Sequence, residues 1–178
     1  LIGSLKVLHD LYDQLWLSKI IQCEAINQVS AESLTHLLYT LADKMYDTQQ
    51  LSVALQPLEE AYFQELAYLR THFLLVPQQG KVQFFHQTFF DYVFARSFVQ
   101  SGQSISADIR QKHQGLFLRS KVQNVLEYLR GYDVPLYIRE IKQILTSKKY
   151  RFHLKLLIIQ QLGFWEMPLP EEKRLVTK

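Results

Sequence analysis

Apolar residues recur at helical spacing over residues 4–23, where Leu5, Leu8, Tyr12, Leu15, Trp16, Ile20 and Cys23 share a face with Lys19. This predicts one long amphipathic helix. A break over residues 27–30, from Asn27, comes next, and the hydroxyl of Ser30 or Ser33 can cap the helix that follows. Leu34, Leu37, Leu38, Leu41 and Met45 then mark a second apolar stripe over residues 31–46. Residues 49–57 admit two readings. Leu51, Val53 and Leu55 alternate like an edge strand, whereas Ser52 could cap a short helix that Pro57 interrupts. Residues 58–71 return to helical spacing with Leu58, Tyr62, Leu66 and Leu69 inward.

The period changes after residue 72. Two runs, Phe73-Leu74-Leu75-Val76 and Lys81-Val82-Gln83-Phe84-Phe85-His86, flank Pro77-Gln78-Gln79-Gly80. Proline early and glycine last read as a four-residue turn in a β-hairpin. The second strand hands over to a helix: Thr88 followed by Asp91 has capping-box spacing, and Phe90, Phe94 and Phe98 then recur every four residues beside Phe89 and Val93. Burying each such ring is worth roughly 1.5–3 kcal/mol, so this helix is expected to be the keystone of a core. Helices followed by a hairpin is the order of a winged helix-turn-helix, the hairpin being the wing.

A polar stretch, QSGQSIS at residues 100–106, separates this half from a helical remainder. There Val125, Leu126, Leu129 and Pro135 return 33 positions later as Ile158, Ile159, Leu162 and Pro168, with Gly131 echoed at Gly163 one residue out of phase. Ile138, Ile141 and Leu145 mark the return helix between them. Each unit reads as a helix, a glycine stop and a proline opening the next helix. The period suggests a HEAT-like α-solenoid. The fold class is therefore mainly α: a winged helix-turn-helix with a small β-hairpin wing, then an α-helical superhelical segment. The expected domains are a lead-in helix (1–30), a winged helix (31–100) and a truncated repeat-like domain (101–178).

Charge sharpens that division. Residues 1–100 hold 6 Lys/Arg against 10 Asp/Glu, and residues 101–178 hold 14 against 7, so the sign reverses near residue 100. At 48% hydrophobic the chain is globular. No apolar run reaches the ~18 residues of a membrane span. The single cysteine, Cys23, rules out an internal disulfide, lies in line with apolar neighbours, and suits a reducing cytoplasm. A chain that begins Leu1-Ile2-Gly3 and stops within a helical pattern reads as a piece of a longer protein.

Chemistry is sparse. The sequence has no phosphate-cradling G-x-x-x-x-G-K-[ST], H-E-x-x-H, C-x-x-C or G-x-S-x-G. Its six histidines never pair at i, i+3 or i+4, so no helical metal site is expected. Asp10 and Asp13 share a helix face and read as solvated charge. No catalytic residue is assigned, and the chain is not expected to be an enzyme by itself. His86, at the strand end, is the one polar residue of the aromatic run with functional promise. It is either a histidine hydrogen-bonded within the cluster or an imidazole offered to an anionic oxygen. Lys148, Lys149, Arg151 and Lys155 form a patch for an acidic partner, or else a solvated helix junction.

The pattern F-x-H-x-T-F-x-D-Y-x-x-A, carried by Phe84, His86, Thr88, Phe89, Asp91, Tyr92 and Ala95, resembles the winged-helix segment of NACHT-type STAND NTPases. These are multidomain ATP/ADP switches of innate immunity and bacterial defence. LYDQLWLSKI, residues 11–20, is similar to the helix leading into that winged helix. The resemblance covers about residues 5–100. It implies a P-loop domain upstream, ADP or ATP bound there rather than here, and His86 reaching the ADP phosphates to hold the resting state. The implied partners are that nucleotide-binding domain, and other protomers or a protein ligand.

Two other functions fit the same pattern. One is a DNA-reading winged helix, which Glu59, Glu60 and Glu65 on the would-be recognition helix oppose by repelling phosphates. The other is a passive solenoid scaffold.

Overall fold

The helical periodicities are met by a mainly helical architecture with one small three-stranded antiparallel sheet. A computed structural model describes residues 3–25, 29–111 and 118–176. The Leu5 side chain and Asn27 lie outside what is described. The chain divides into two compact units, residues 7–97 and a second made chiefly of residues 98–178.

In the first unit, α1 (Gly3–Lys19) buries Tyr12 and Trp16. The line continues through Ile20 and Cys23, but the expected single helix tightens into a 3-10 turn (Ile21–Ala25) after Lys19, as helix ends often do. Cys23 is buried, its Sγ 3.7 Å from the Val29 carbonyl oxygen. α2 (Ala31–Thr48) is capped by Ser30, whose Oγ accepts from the Ser33 N–H at 3.0 Å. All five residues of its predicted stripe are buried.

Residues 49–57 contain both readings in part. β1 is only Val53–Ala54, and Leu51 faces solvent. Pro57 does not interrupt a helix but sits in the first turn of α3 (Gln56–Ala61), where its missing N–H is not needed. The helix expected over 58–71 is two, because the backbone at Tyr62 leaves helical geometry (φ −137°, ψ 42°) before α4 (Phe63–Thr71).

The hairpin is tighter than its sequence suggests. β2 (Leu75–Gln78) and β3 (Lys81–Phe84) are joined by two residues, and Pro77 lies within β2 opposite Val82. In the order β1-β3-β2 this strand is an edge, the place where a sheet tolerates proline. Gln79 and Gly80 have φ of 49° and 73°, the left-handed pair of a type I′ turn that matches strand twist. Glutamine is a poor choice at the first position. Gln79→Asn is expected to stabilise the chain by about 0.5–1 kcal/mol, read as a higher urea midpoint at unchanged slope.

α5 (Gln87–Gln100) is buried on nearly every side rather than on one aromatic face: Phe89, Phe90, Tyr92, Val93, Phe94, Ala95, Phe98 and Val99 are all covered. The division between the units falls within it, after Ser97. The stretch expected as a loose linker is only residues 101–104, since Ile105 and Ser106 are buried at the start of α6 (Ile105–Gln111).

The second unit packs α7 (Leu118–Tyr132), α8 (Val134–Thr146) and α9 (Phe152–Phe164) against one another, with α6 and α10 (Pro170–Val176) against α8. Asp133 caps α8, accepting from the Leu136 N–H at 2.9 Å, with Pro135 in the first turn. The glycine stops are not found. Gly131 and Gly163 lie inside the last turns of α7 and α9 without left-handed backbone. Pro168 precedes α10, which Pro170 opens instead. Nor are the repeat mates equivalent, since Leu126 is buried and Ile159 exposed.

Buried acids tie this unit together. Glu140 accepts from the Ser106 N–H (2.8 Å) and Ser104 hydroxyl (3.1 Å), anchoring α6. Glu172 takes two bonds from Arg130 (2.7 and 3.1 Å), one from the Tyr137 hydroxyl (2.7 Å) and one from the Leu169 N–H (2.6 Å). Arg130 also donates to the Met167 carbonyl (2.8 Å) and lies 4.1 Å over the Trp165 ring.

Candidate functional site at the start of α5

The strand β3 ends at Phe84, and α5 begins three residues later. Phe84 is buried, but Phe85 and His86 turn outward. The capping box expected from Thr88 and Asp91 does not form. Thr88 already lies in the helix, and Asp91 lies beyond its first turn. The cap is His86. Its carbonyl accepts from the N–H groups of Phe89 and Phe90 (both 3.2 Å), and its Nδ1 accepts from the Thr88 N–H at 3.1 Å. An imidazole thus plays the part usually given to serine or aspartate.

The bond to Nδ1 fixes the ring's orientation and its tautomer. With Nδ1 accepting, the proton of the neutral ring sits on Nε2, on an exposed side chain. The ring is not walled in by the phenylalanines around it. Thr88 Oγ1 lies 2.8 Å from Nδ1 and 2.5 Å from the Tyr12 hydroxyl. A hydrogen-bond chain therefore runs from Tyr12 on α1, through Thr88, to His86.

Four and eight residues beyond Thr88, Tyr92 and Arg96 extend the same polar stripe along α5. The Tyr92 hydroxyl donates to Asp13 at 2.6 Å, and Arg96 donates to that hydroxyl at 3.3 Å, lies 3.7 Å from Asp13 and stacks 4.7 Å over Trp16. Asp13 is therefore more than the solvated charge expected from its sequence position. His9 packs edge-on to Tyr92 at 5.7 Å, and burial pulls its pKa below 6.5 despite Asp13 and Asp10. The stripe escaped sequence reading because its polar residues are spread among aromatics. The i, i+4, i+8 spacing of Thr88, Tyr92 and Arg96 was the available signal.

The basic residues lie elsewhere. Lys148 and Lys149 occupy the α8–α9 connection, Arg151 is the N-cap residue of α9, and Lys155 is half-buried one turn on. They fall together in the second unit, as their spacing requires. A groove of about 560 Å³ in the first unit, lined by Phe63, Leu66, Ala67, Arg70, Phe73 and Leu75, was not foreseen. Its strand wall, β2, is the sheet edge, and Phe73 at its rim holds left-handed backbone (φ 57°).

Among the described residues no three His, Cys, Asp or Glu side chains gather as a bound metal ion would need. No described helix is long and apolar enough to cross a membrane. The sequence matches no protein-family model and no curated protein.

Proposed function

We propose that residues 1–100 are a winged-helix arm of a larger STAND-type NTPase, and that His86 senses the phosphates of ADP held by a neighbouring nucleotide-binding domain. The observation that carries the reading is the cap itself. Nδ1 is engaged by Thr88, so Nε2–H remains as a donor on an exposed residue at the positive end of α5. The element order supports it too: α2, β1, the α3–α4 pair and the β2–β3 hairpin follow the sequence of a winged helix. The nucleotide belongs to that other domain, and catalysis there is not assigned to these residues. A hydrogen bond to a charged phosphate is worth roughly 1.5–3 kcal/mol, enough to bias a two-state arm toward its ADP-bound form.

The test separates capping from sensing. In the chain that includes the nucleotide-binding domain, His86→Asp keeps an acceptor for the Thr88 N–H but sets a carboxylate against phosphate. ADP affinity should fall about tenfold or more while thermal stability stays near that of the parent. His86→Ala should lose affinity and, through the cap, about 1 kcal/mol of stability. Unchanged ADP affinity and exchange in both variants would end the sensing role. DNA reading has less support, because Glu59 and Glu60 are exposed on α3 and Glu59 lies 3.8 Å from Arg70, the only basic residue of α4.

A further inference from the structure

We infer that α1 governs how His86 is presented, with Tyr12 and Thr88 as its positioning residues. The hydrogen bonds that join the three can run in only one direction. Thr88 places two donors at the imidazole: its backbone N–H, 3.1 Å from Nδ1, and its hydroxyl, with Oγ1 2.8 Å from the same atom. A backbone N–H can only donate, so Nδ1 is an acceptor and the Thr88 hydroxyl points its proton there too. Oγ1 is left with lone pairs alone, and the Tyr12 hydroxyl beside it is therefore the donor. One fixed proton thus commits all the others: Tyr12 to Thr88, Thr88 to Nδ1, and the neutral ring's own proton to Nε2.

Tyr12 is what keeps this order. A threonine hydroxyl rotates until its oxygen is engaged. The Tyr12 proton on Oγ1 holds it and, by polarising it, strengthens the bond it donates to Nδ1. Tyr12 is itself fixed: it is 5% exposed, with its ring edge-on to Phe89 at 5.2 Å and tilted against Tyr92 at 5.5 Å. Farther along α5, Asp13 and Trp16 of α1 engage Tyr92 and Arg96. A displacement of α1 along α5 would therefore draw Tyr12 away from Thr88. The arrangement also selects ligand chemistry, because Nε2–H donates to an anionic oxygen and has no lone pair to offer a metal ion. Resting on the reading of His86 as a phosphate sensor, this makes the position of α1 part of nucleotide recognition. The coupling is reciprocal: ADP that takes the Nε2–H also favours α1 in place.

Ring-nitrogen NMR of the isotope-labelled chain at about pH 8.5, where imidazole is neutral, reads the tautomer directly, with His86→Gln to assign the signals. His86 is expected as the Nε2–H form. Thr88→Val and Tyr12→Phe should both move its nitrogen signals toward those of mixed tautomers, Thr88→Val further, and Thr88→Ser should keep the parent spectrum. Tyr12→Phe retains the packed ring, so it decides alone if Thr88→Val fails to fold. The inference is overturned if the parent ring carries its proton on Nδ1, or if Tyr12→Phe leaves the signals unmoved. In the chain that includes the nucleotide-binding domain, Thr88→Val and Tyr12→Phe should each weaken ADP binding about threefold or more. Neither should weaken it further once His86 is alanine. Loss of ADP affinity in His86→Ala with none in Thr88→Val or Tyr12→Phe also overturns the inference. Unchanged ADP affinity in all three variants, with the NMR shifts as expected, ends the sensing role and supports the positioning.

Discussion

Replacing Glu172 with alanine should cost the chain about 3–5 kcal/mol, the usual penalty for removing one partner of a buried ion pair. Glu172 is 1% exposed and accepts four hydrogen bonds. Without it, the Arg130 guanidinium loses its buried counter-charge and keeps the Met167 carbonyl and the Trp165 face, and the buried Tyr137 hydroxyl loses its carboxylate acceptor. The loss therefore falls on α7 and α8 as well as on α10. Urea unfolding should show it as a lower midpoint, with Glu172→Gln intermediate. pH adds a second readout. The Arg130 and Tyr137 hydrogen bonds hold the Glu172 carboxyl below its ordinary 4.5 even though burial pushes the other way. The stabilisation is complete above that value and drains as pH falls through the depressed pKa. Burial, and then the Glu172 carboxylate, push Tyr137 far above 10, so its contribution is complete below 10 and is lost as pH rises further. Glu172→Ala should flatten the acid limb. An alanine variant with the parent's midpoint and acid limb would mean that the network holds nothing together.

Phe89→Ala should cost a similar amount, about 3–5 kcal/mol, whereas Phe85→Ala should cost under about 1 kcal/mol. The sequence presents both as members of one aromatic run. Phe89 is fully buried, edge-on to Tyr12 at 5.2 Å and to Phe84 at 5.9 Å, and stacked on Tyr92 at 6.0 Å. Phe85 is 41% exposed. Removing Phe89 opens a cavity where α1, β3 and α5 meet; removing Phe85 mostly exchanges one surface for another. Equal losses in the two variants would contradict this arrangement of the core.

Helical stripes were the most legible part of the sequence, because burial of one face imposes a period that five residues of α2 reveal without ambiguity. Short-range backbone geometry was less so. The sequence pattern makes the turn between β2 and β3 two residues wider than it is, because proline and glycine mark turns in general, whereas Pro77 belongs to the edge strand and only Gly80 to the turn. The glycines at 131 and 163 misled for the same reason: a residue permitted to end a helix need not do so. The setting of His86 draws attention to it in the sequence, but its role as a cap gives no sequence signal, since helix starts are read from serine, threonine, aspartate and asparagine. Glu140 and Glu172 gave no signal either. What makes them central is a set of donors, several more than 30 residues away in the chain.

α5 carries a consequence for how the polypeptide is made. Most of its residues are aromatic or β-branched, weak helix formers in isolation, so it takes its shape chiefly by inserting among elements already present. Those elements precede it in the chain, so on the ribosome α1, α2 and the hairpin must wait with their oily sides uncovered until residues 87–97 emerge. Nascent chains stalled before that point should draw chaperones and aggregate, and release just past it should let the first unit close in one step.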